Sequence, residues 1–428
     1  MRPAYVIILF LSILSSCDTE SSFPVPEDNY FVKFYGNEGD QEGVDFILNT
    51  DGSVVMLGNS RKTVTDQQVI YAVKVDAQGT VLWQHYYGTS LPGDKTAKDI
   101  ELHSDGRIII VGEFVNGAND SDVYLFSIDN AGVLQDSVTV GLIDKNGVKS
   151  DEHANTLTVI SDGFIIAGST TLQADLISTA RNSMHLRFDN SLNEIPEVGP
   201  INWSRNYGND RDEVAVKVFE IGINNFYVFG YSNRIDPPRN GDYNYWIYSL
   251  GGDGKPTNAD LYAGKTSENE ELISVEISPL QSGPGYILSG TATRSSGETQ
   301  SYLVKLSSTL TFQPTDILIE TNPTDMGTDV GGNLATKSLL SQEFMLLTND
   351  NTPADKNTNL ALTKLTRELT KAWQIPLIFG GESNDFAGSV SELPDGRILV
   401  VGTMTVGGLS GQKKMVLMKL NADGKLTK

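Results

Sequence analysis

Cysteine and histidine are scarce: one and four in 428 residues. A single cysteine excludes a disulfide framework and any multi-cysteine metal site, and four histidines leave little room for histidine-based catalysis. Positive charge is also short, with 32 Lys and Arg against 54 Asp and Glu, a formal net charge of −22. Nucleic acid is therefore not an expected partner, because binding phosphates needs a basic footprint. There is no phosphate-binding loop, no HExxH and no nucleophile elbow. What is present is a foldable composition: 39% hydrophobic and only 20% charged, with 41 glycines. That is enough apolar material for a substantial core and unlike a disordered chain.

The N-terminus reads Met1-Arg2-Pro3, an apolar run over residues 4–14, then Leu14-Ser15-Ser16-Cys17. A basic start, 11 apolar residues and small residues before a cut site make a secretory signal. A membrane-spanning helix would need about 20. The Leu-Ser-Ser-Cys ending resembles the bacterial lipobox, which implies cleavage before Cys17 and lipids on that cysteine. Several acyl chains would satisfy the two-signal requirement for stable anchoring. Residues 18–29 are polar and contain proline, which suits a flexible tether. Asp18 and Glu20 resemble the acidic export signal of surface lipoproteins in Bacteroidota, whereas in other Gram-negative bacteria such an Asp resembles an inner-membrane retention signal. The expectation is a lipid-anchored outer-membrane protein, with the leaflet open. Its parts are a signal peptide (1–16), a lipidated Cys and tether (17–29) and one folded region (30–428).

Beyond residue 30 the chain repeats. Short strands end in Gly or a small polar residue at Gly58, Gly112, Gly168, Gly230, Gly290, Thr348 and Gly402, spaced 54, 56, 62, 60, 58 and 54 residues apart. Asp-Gly turns at 51–52, 105–106, 162–163 and 395–396 join the first two strands of four units, a strong hairpin signal. The third strand alternates with period two in every unit, as in Tyr124, Phe126, Ile128 and Trp246, Tyr248, Leu250. Four short antiparallel strands repeated seven times predict an all-β, seven-bladed β-propeller. The last unit lacks a fourth strand after Asp423-Gly424, while residues 30–36 match one. The N-terminal strand is therefore expected to complete the last blade and close the ring, covering an otherwise bare edge.

Between consecutive units an Asp or Asn recurs, followed three residues on by a usually small residue and six on by an apolar one. These loops would encircle one channel mouth, so Asp40, Asp94, Asp151, Asp212, Asp329 and Asp385 are candidate binding residues for a cation, a basic peptide or a sugar. The competing reading is structural: Asp and Asn make side-chain turns onto backbone, and small residues let seven strands converge. Occurrence in every unit favours the structural role. Loop 233–243, with Arg234, Arg239 and Tyr243, is a second candidate, since Arg and Tyr are common at interface hot spots. His153 beside Asp151 and Glu152 has no recognised metal-ligand spacing.

Asp76-Ala77-Gln78-Gly79 followed by Val81-Leu82-Trp83 resembles the quinoprotein-type propeller repeat, found in quinone-dependent dehydrogenases and in BamB-like lipoproteins. The turn also echoes the sialidase Asp-box, but without an arginine triad. Asp136-Ser137-Val138 resembles a three-residue O-glycosylation motif. The resulting expectation is a lipid-anchored propeller without catalytic activity, cofactor or metal, presenting its loops to an outer-membrane protein complex. A glycan-binding lipoprotein is the alternative, followed by a propeller lyase or quinone-dependent dehydrogenase.

Overall fold

The structure is a computed structural model that describes residues 30–116, 120–173, 176–197, 202–209, 211–235, 241–265, 267–280, 283–311, 317–319, 330–335, 343–351, 357–407 and 411–427. It contains seven four-stranded antiparallel sheets and, among these residues, no helix. Each sheet's inner strand packs against those of its two neighbours, and blade 7 meets blade 1, so the sheets form a closed seven-bladed propeller. Blades 1–6 follow chain order from inner to outer strand. Blade 7 is completed by Phe31–Tyr35, which pairs antiparallel with Gln412–Leu420, from Phe31 opposite Lys419 to Tyr35 opposite Met415. The leftover strand and the missing strand are joined as expected.

Each inner strand carries a β-bulge or register shift shortly after it begins, between Gly43 and Asp45, Ala97 and Asp99, Ala154 and Thr156, Ala215 and Lys217, Leu272 and Ser274, Val330 and Asn333, and Ala387 and Ser389. The recurring glycine of the second strand lies beneath this bulge. A Cβ on Gly58, Gly168 or Gly230 would press into the inner-strand carbonyl of Glu42, His153 or Val214. Glycine is therefore required by close backbone approach rather than by a turn.

Blade junctions are filled in two complementary ways. In four, an aromatic on the outer strand (Trp83, Phe31) or just before it (Trp203, Trp373) sits on a left-handed glycine in the next blade's outer turn: Trp83 on Gly132, Trp203 on Gly254, Trp373 on Gly424, and Phe31 on Gly79. In the other three, the same turn position holds a leucine in the left-handed region: Leu192, Leu310 and Leu369, with φ of 58–60°. Leu192 and Leu369 are buried. Dispersion and area burial thus come from a large side chain on one partner or the other.

Candidate functional site

The candidate residues of the channel mouth latch blade to blade. Asp40 Oδ1 accepts the backbone N–H of Lys413 (3.0 Å), and Asp94 Oδ1 accepts that of Gln68 (2.8 Å). Asp151 accepts from Ser121 (3.3 Å) and Asp212 from Arg181 (2.9 Å). Asn269 and Asn384 do the same for Tyr243 (2.9 Å) and Thr358 (3.0 Å). The donor stands at or next to the first residue of the preceding blade's third strand, except Arg181, which lies further along Leu176–Asp189. Burial works against the Asp94 carboxylate, but Arg61 at 2.6 Å and the Gln68 N–H outweigh it and hold its pKa below the ordinary value. Asp385 is one residue further on and buried, accepting from Thr405 N (2.7 Å) and Gly381 N (2.8 Å). Asp329 lies outside the described residues.

The candidate interaction loop is held in place as well. Arg234 pairs with Asp260 at 2.7 Å and lies over the rings of Tyr207 and Trp246. The Tyr243 hydroxyl donates to Asp212 Oδ2 at 2.8 Å. Burial, followed by Asp212, pushes the Tyr243 pKa up to about 12. Arg239 and Cys17 lie outside the described residues. His153 sits 3.5 Å from Glu113, which also pairs with Lys98 at 3.1 Å.

A different set of charged residues meets inside the ring. Asp45, Asp99, Thr156, Lys217, Ser274 and Ser389 each follow a bulge and line one cavity, joined by Glu101 and Glu276 two residues after Asp99 and Ser274. Residues of these inner strands bound a cavity of about 470 Å³ in the central channel. Lys217 Nζ stands 3.8 Å from Asp99 and 3.4 Å from Glu101, and donates to Leu157 O at 3.1 Å. Asp99 is fixed by the backbone N–H groups of Ile100 (2.8 Å) and Leu157 (2.7 Å) and shares a hydrogen bond with Asp45.

Burial first, then the Asp99 charge, pushes Asp45 well above the carboxylate range. Burial likewise raises Glu101, and lifts Glu276 to about 7 despite Lys217. Burial opposes the Lys217 ammonium, yet Asp99, Glu101, Glu276 and Asp45 overcome it and raise its pKa. Four carboxyl groups therefore surround one lysine, and protons take the place of missing cations. A carboxyl held protonated beside a hydrogen-bonded partner is also the arrangement acid–base chemistry uses. Among the described residues no cluster of His, Cys, Asp and Glu has metal-binding geometry.

Sequence reasoning missed this cluster. The pattern three and six residues after the latch marks core positions, whereas the charged groups of the channel stand five and seven residues after it. Aligning the seven repeats on the latch exposes that fifth column: Asp45, Asp99, Thr156, Lys217, Ser274, Leu334, Ser389.

Residues 103–126 and 393–426 match the profile of a family described as "Domain of unknown function (DUF5122) beta-propeller". No curated protein matches the chain. Among solved structures, the β-propeller domain of the Trilobed protease from Pyrococcus furiosus is 10% identical, with 93% of this chain and 97% of that one covered and a TM-score of 0.48. Extracellular domains 1–2 of Drosophila Semaphorin 1a are 8% identical, with coverages of 90% and 87% and a TM-score of 0.51. The α-L-arabinofuranosidase Arb93A from Fusarium graminearum is 9% identical, with coverages of 91% and 99% and a TM-score of 0.43. At such identities the likeness is one of fold. One expectation is corrected: the chain was read as lacking catalytic activity. That exclusion rested on the absence of recognised motifs, which does not exclude catalysis where Asp45, Asp99, Glu101 and Glu276 meet Lys217 at one cavity.

Proposed function

We propose that the protein is a lipid-anchored outer-membrane propeller that binds a protein partner and receives a cationic group of that partner in its central channel. The observation that carries this reading is the excess of carboxyl groups around the channel cavity: Asp45, Asp99, Glu101 and Glu276 face Lys217, while the other lining lysine, Lys98, is paired with Glu113 at 3.1 Å. An ammonium or guanidinium entering the cavity would displace protons from Glu276, Glu101 and Asp45 and replace them as counter-charge. Binding should therefore tighten as pH rises through the Glu276 value of about 7. The Cys17 motif supports the anchor, and the net charge of −22 favours a basic ligand by long-range attraction.

The test is calorimetric titration of the full chain with a lysine-rich octapeptide at pH 6 and pH 8. Affinity at least fivefold tighter at pH 8, with the difference reduced in Glu276→Gln, is expected. Equal affinity at both pH values, or no effect of Glu276→Gln, would overturn the channel reading. Incorporation of labelled palmitate that survives in Cys17→Ser would overturn the anchor.

A further inference from the structure

The seven outer strands differ in how they protect their free edges. Those of blades 3–6 are short: Asn206–Tyr207, Leu261–Ala263, Ile317–Ile319 and Leu377–Phe379, with two, three, three and three residues. Short length is itself a guard, because few backbone groups are left for a foreign strand. The five-residue outer strand of blade 7 carries Lys33. The seven-residue strand Leu134–Val140 of blade 2 is blunted by its own side chains. Asp136 Oδ1 accepts the Ser137 N–H at 2.8 Å, and Gln135 Nε2 donates to Val133 O at 3.1 Å.

Blade 1 differs from all of these. Its outer strand Val81–Tyr87 has seven residues and contains no Asp, Glu, Lys, Arg, proline or glycine. It pairs with the third strand, Val69–Val75, and among the described residues with no strand on its other side. Val81, Leu82 and Tyr86 are 46%, 56% and 37% exposed. The strand is firmly seated from beneath: Trp83 Nε1 donates to Asn130 O (3.0 Å) and the Tyr87 hydroxyl to Gly132 O (2.7 Å). A strand of that length offers about 24 Å of unpaired backbone donors and acceptors. At its far end a cavity of about 500 Å³ lies between Tyr86, Val69, Ser60, Gln67 and the Lys62–Glu38 pair.

We propose that Val81–Tyr87 is a docking edge, to which an extended, neutral-to-basic segment of a protein partner adds as a fifth strand of blade 1. Backbone hydrogen bonds would supply the contact, and the cavity beyond Tyr86 would take one apolar side chain of the segment. Charge decides the occupant. A second copy of this chain also carries −22, so self-pairing is opposed, and an acidic segment is opposed for the same reason. The inference deepens the reading that the ring binds a protein partner, yet it uses none of the channel residues.

Hydrogen exchange of the full chain tests it. The probe is a ten-residue peptide of alternating threonine and valine with a lysine at each end. Expected is at least tenfold slower exchange confined to residues 81–87, lost in Leu82→Lys and retained in Leu134→Lys, an exposed leucine on the guarded strand. Asp99→Asn should leave this protection intact while altering channel binding, which separates the two readings. Protection absent from residues 81–87, or shared equally with residues 134–140, would overturn the proposal. So would a dimer in light scattering whose 81–87 amides are protected without peptide, since the occupant would then be a second copy.

Discussion

Glu276 and His185 have pKa values displaced by burial, and the two displacements act on stability in opposite pH windows. Glu276 is raised from 4.5 to about 7, with burial as the largest cause. The folded state therefore favours the protonated form: its contribution is fully present below pH 4.5 and is lost as pH rises through 7. Glu276→Gln should leave stability at pH 5 nearly unchanged and raise it at pH 8 relative to wild type, by on the order of 3 kcal/mol. Urea midpoints at the two pH values measure this, and an equal change at both would contradict it. His185 is buried with its pKa lowered from 6.5 to about 4, again chiefly by burial, and its Nε2 lies 3.1 Å from Gly254 O. Its contribution is present above pH 6.5 and is lost as pH falls toward 4. Replacing it with phenylalanine should flatten the acid limb of the stability curve by about 3 kcal/mol, whatever constant cost the substitution adds. The latches behave differently, because their carboxylates satisfy backbone donors. Asp212→Ala leaves Arg181 N–H and the Tyr243 hydroxyl without their acceptor, and a loss of about 1–3 kcal/mol at neutral pH is expected in urea unfolding.

Strands and turns were more legible in the sequence than the channel site. Alternation in the third strand, Asp-Gly hairpins and a repeat near 58 residues defined the blades, because each reports one local rule. The latch column was visible for the same reason: Asp and Asn recur in every unit. The channel residues were hidden because the bulge inserts one residue into the inner strand and breaks its alternation. Their column runs through Asp, Asp, Thr, Lys, Ser, Leu and Ser in blades 1–7, so no single recurring residue type marks it. Junction packing sits between these cases, since the pairing of Trp with Gly appears only across blades. It gives a sharp prediction. A side chain on Gly132 would run into Trp83 and His85, and Gly132 has a φ of +79°. Leu is tolerated at φ near 60° in Leu192, Leu310 and Leu369, so the clash rather than the backbone should dominate. Gly132→Leu should cost about 1–3 kcal/mol, and Trp83→Leu should recover part of that loss in the double variant. Strict additivity in thermal unfolding would count against the junction account.

At the scale of the ring, stability depends on closure, because each blade buries its faces only against its neighbours. Blade 7 draws its outer strand from one end of the described chain and three from the other, so the contact between Phe31–Tyr35 and Gln412–Leu420 holds a loop of almost the whole domain. Phe31 also fills the junction with blade 1 by sitting on Gly79, and the buried Tyr35 donates to Gly79 O at 2.9 Å. Removing residues 30–36 would strip an edge, empty a junction and release the ring at once. Removing 18–29 takes away only the polar, proline-containing segment that precedes the first strand. The first deletion should lower the unfolding midpoint sharply and speed hydrogen exchange in the strands of blades 7 and 1; the second should change neither. If the two deletions were equivalent, the ring would be held by its other six blades, and the N-terminal strand would be an ornament on blade 7 rather than its closure.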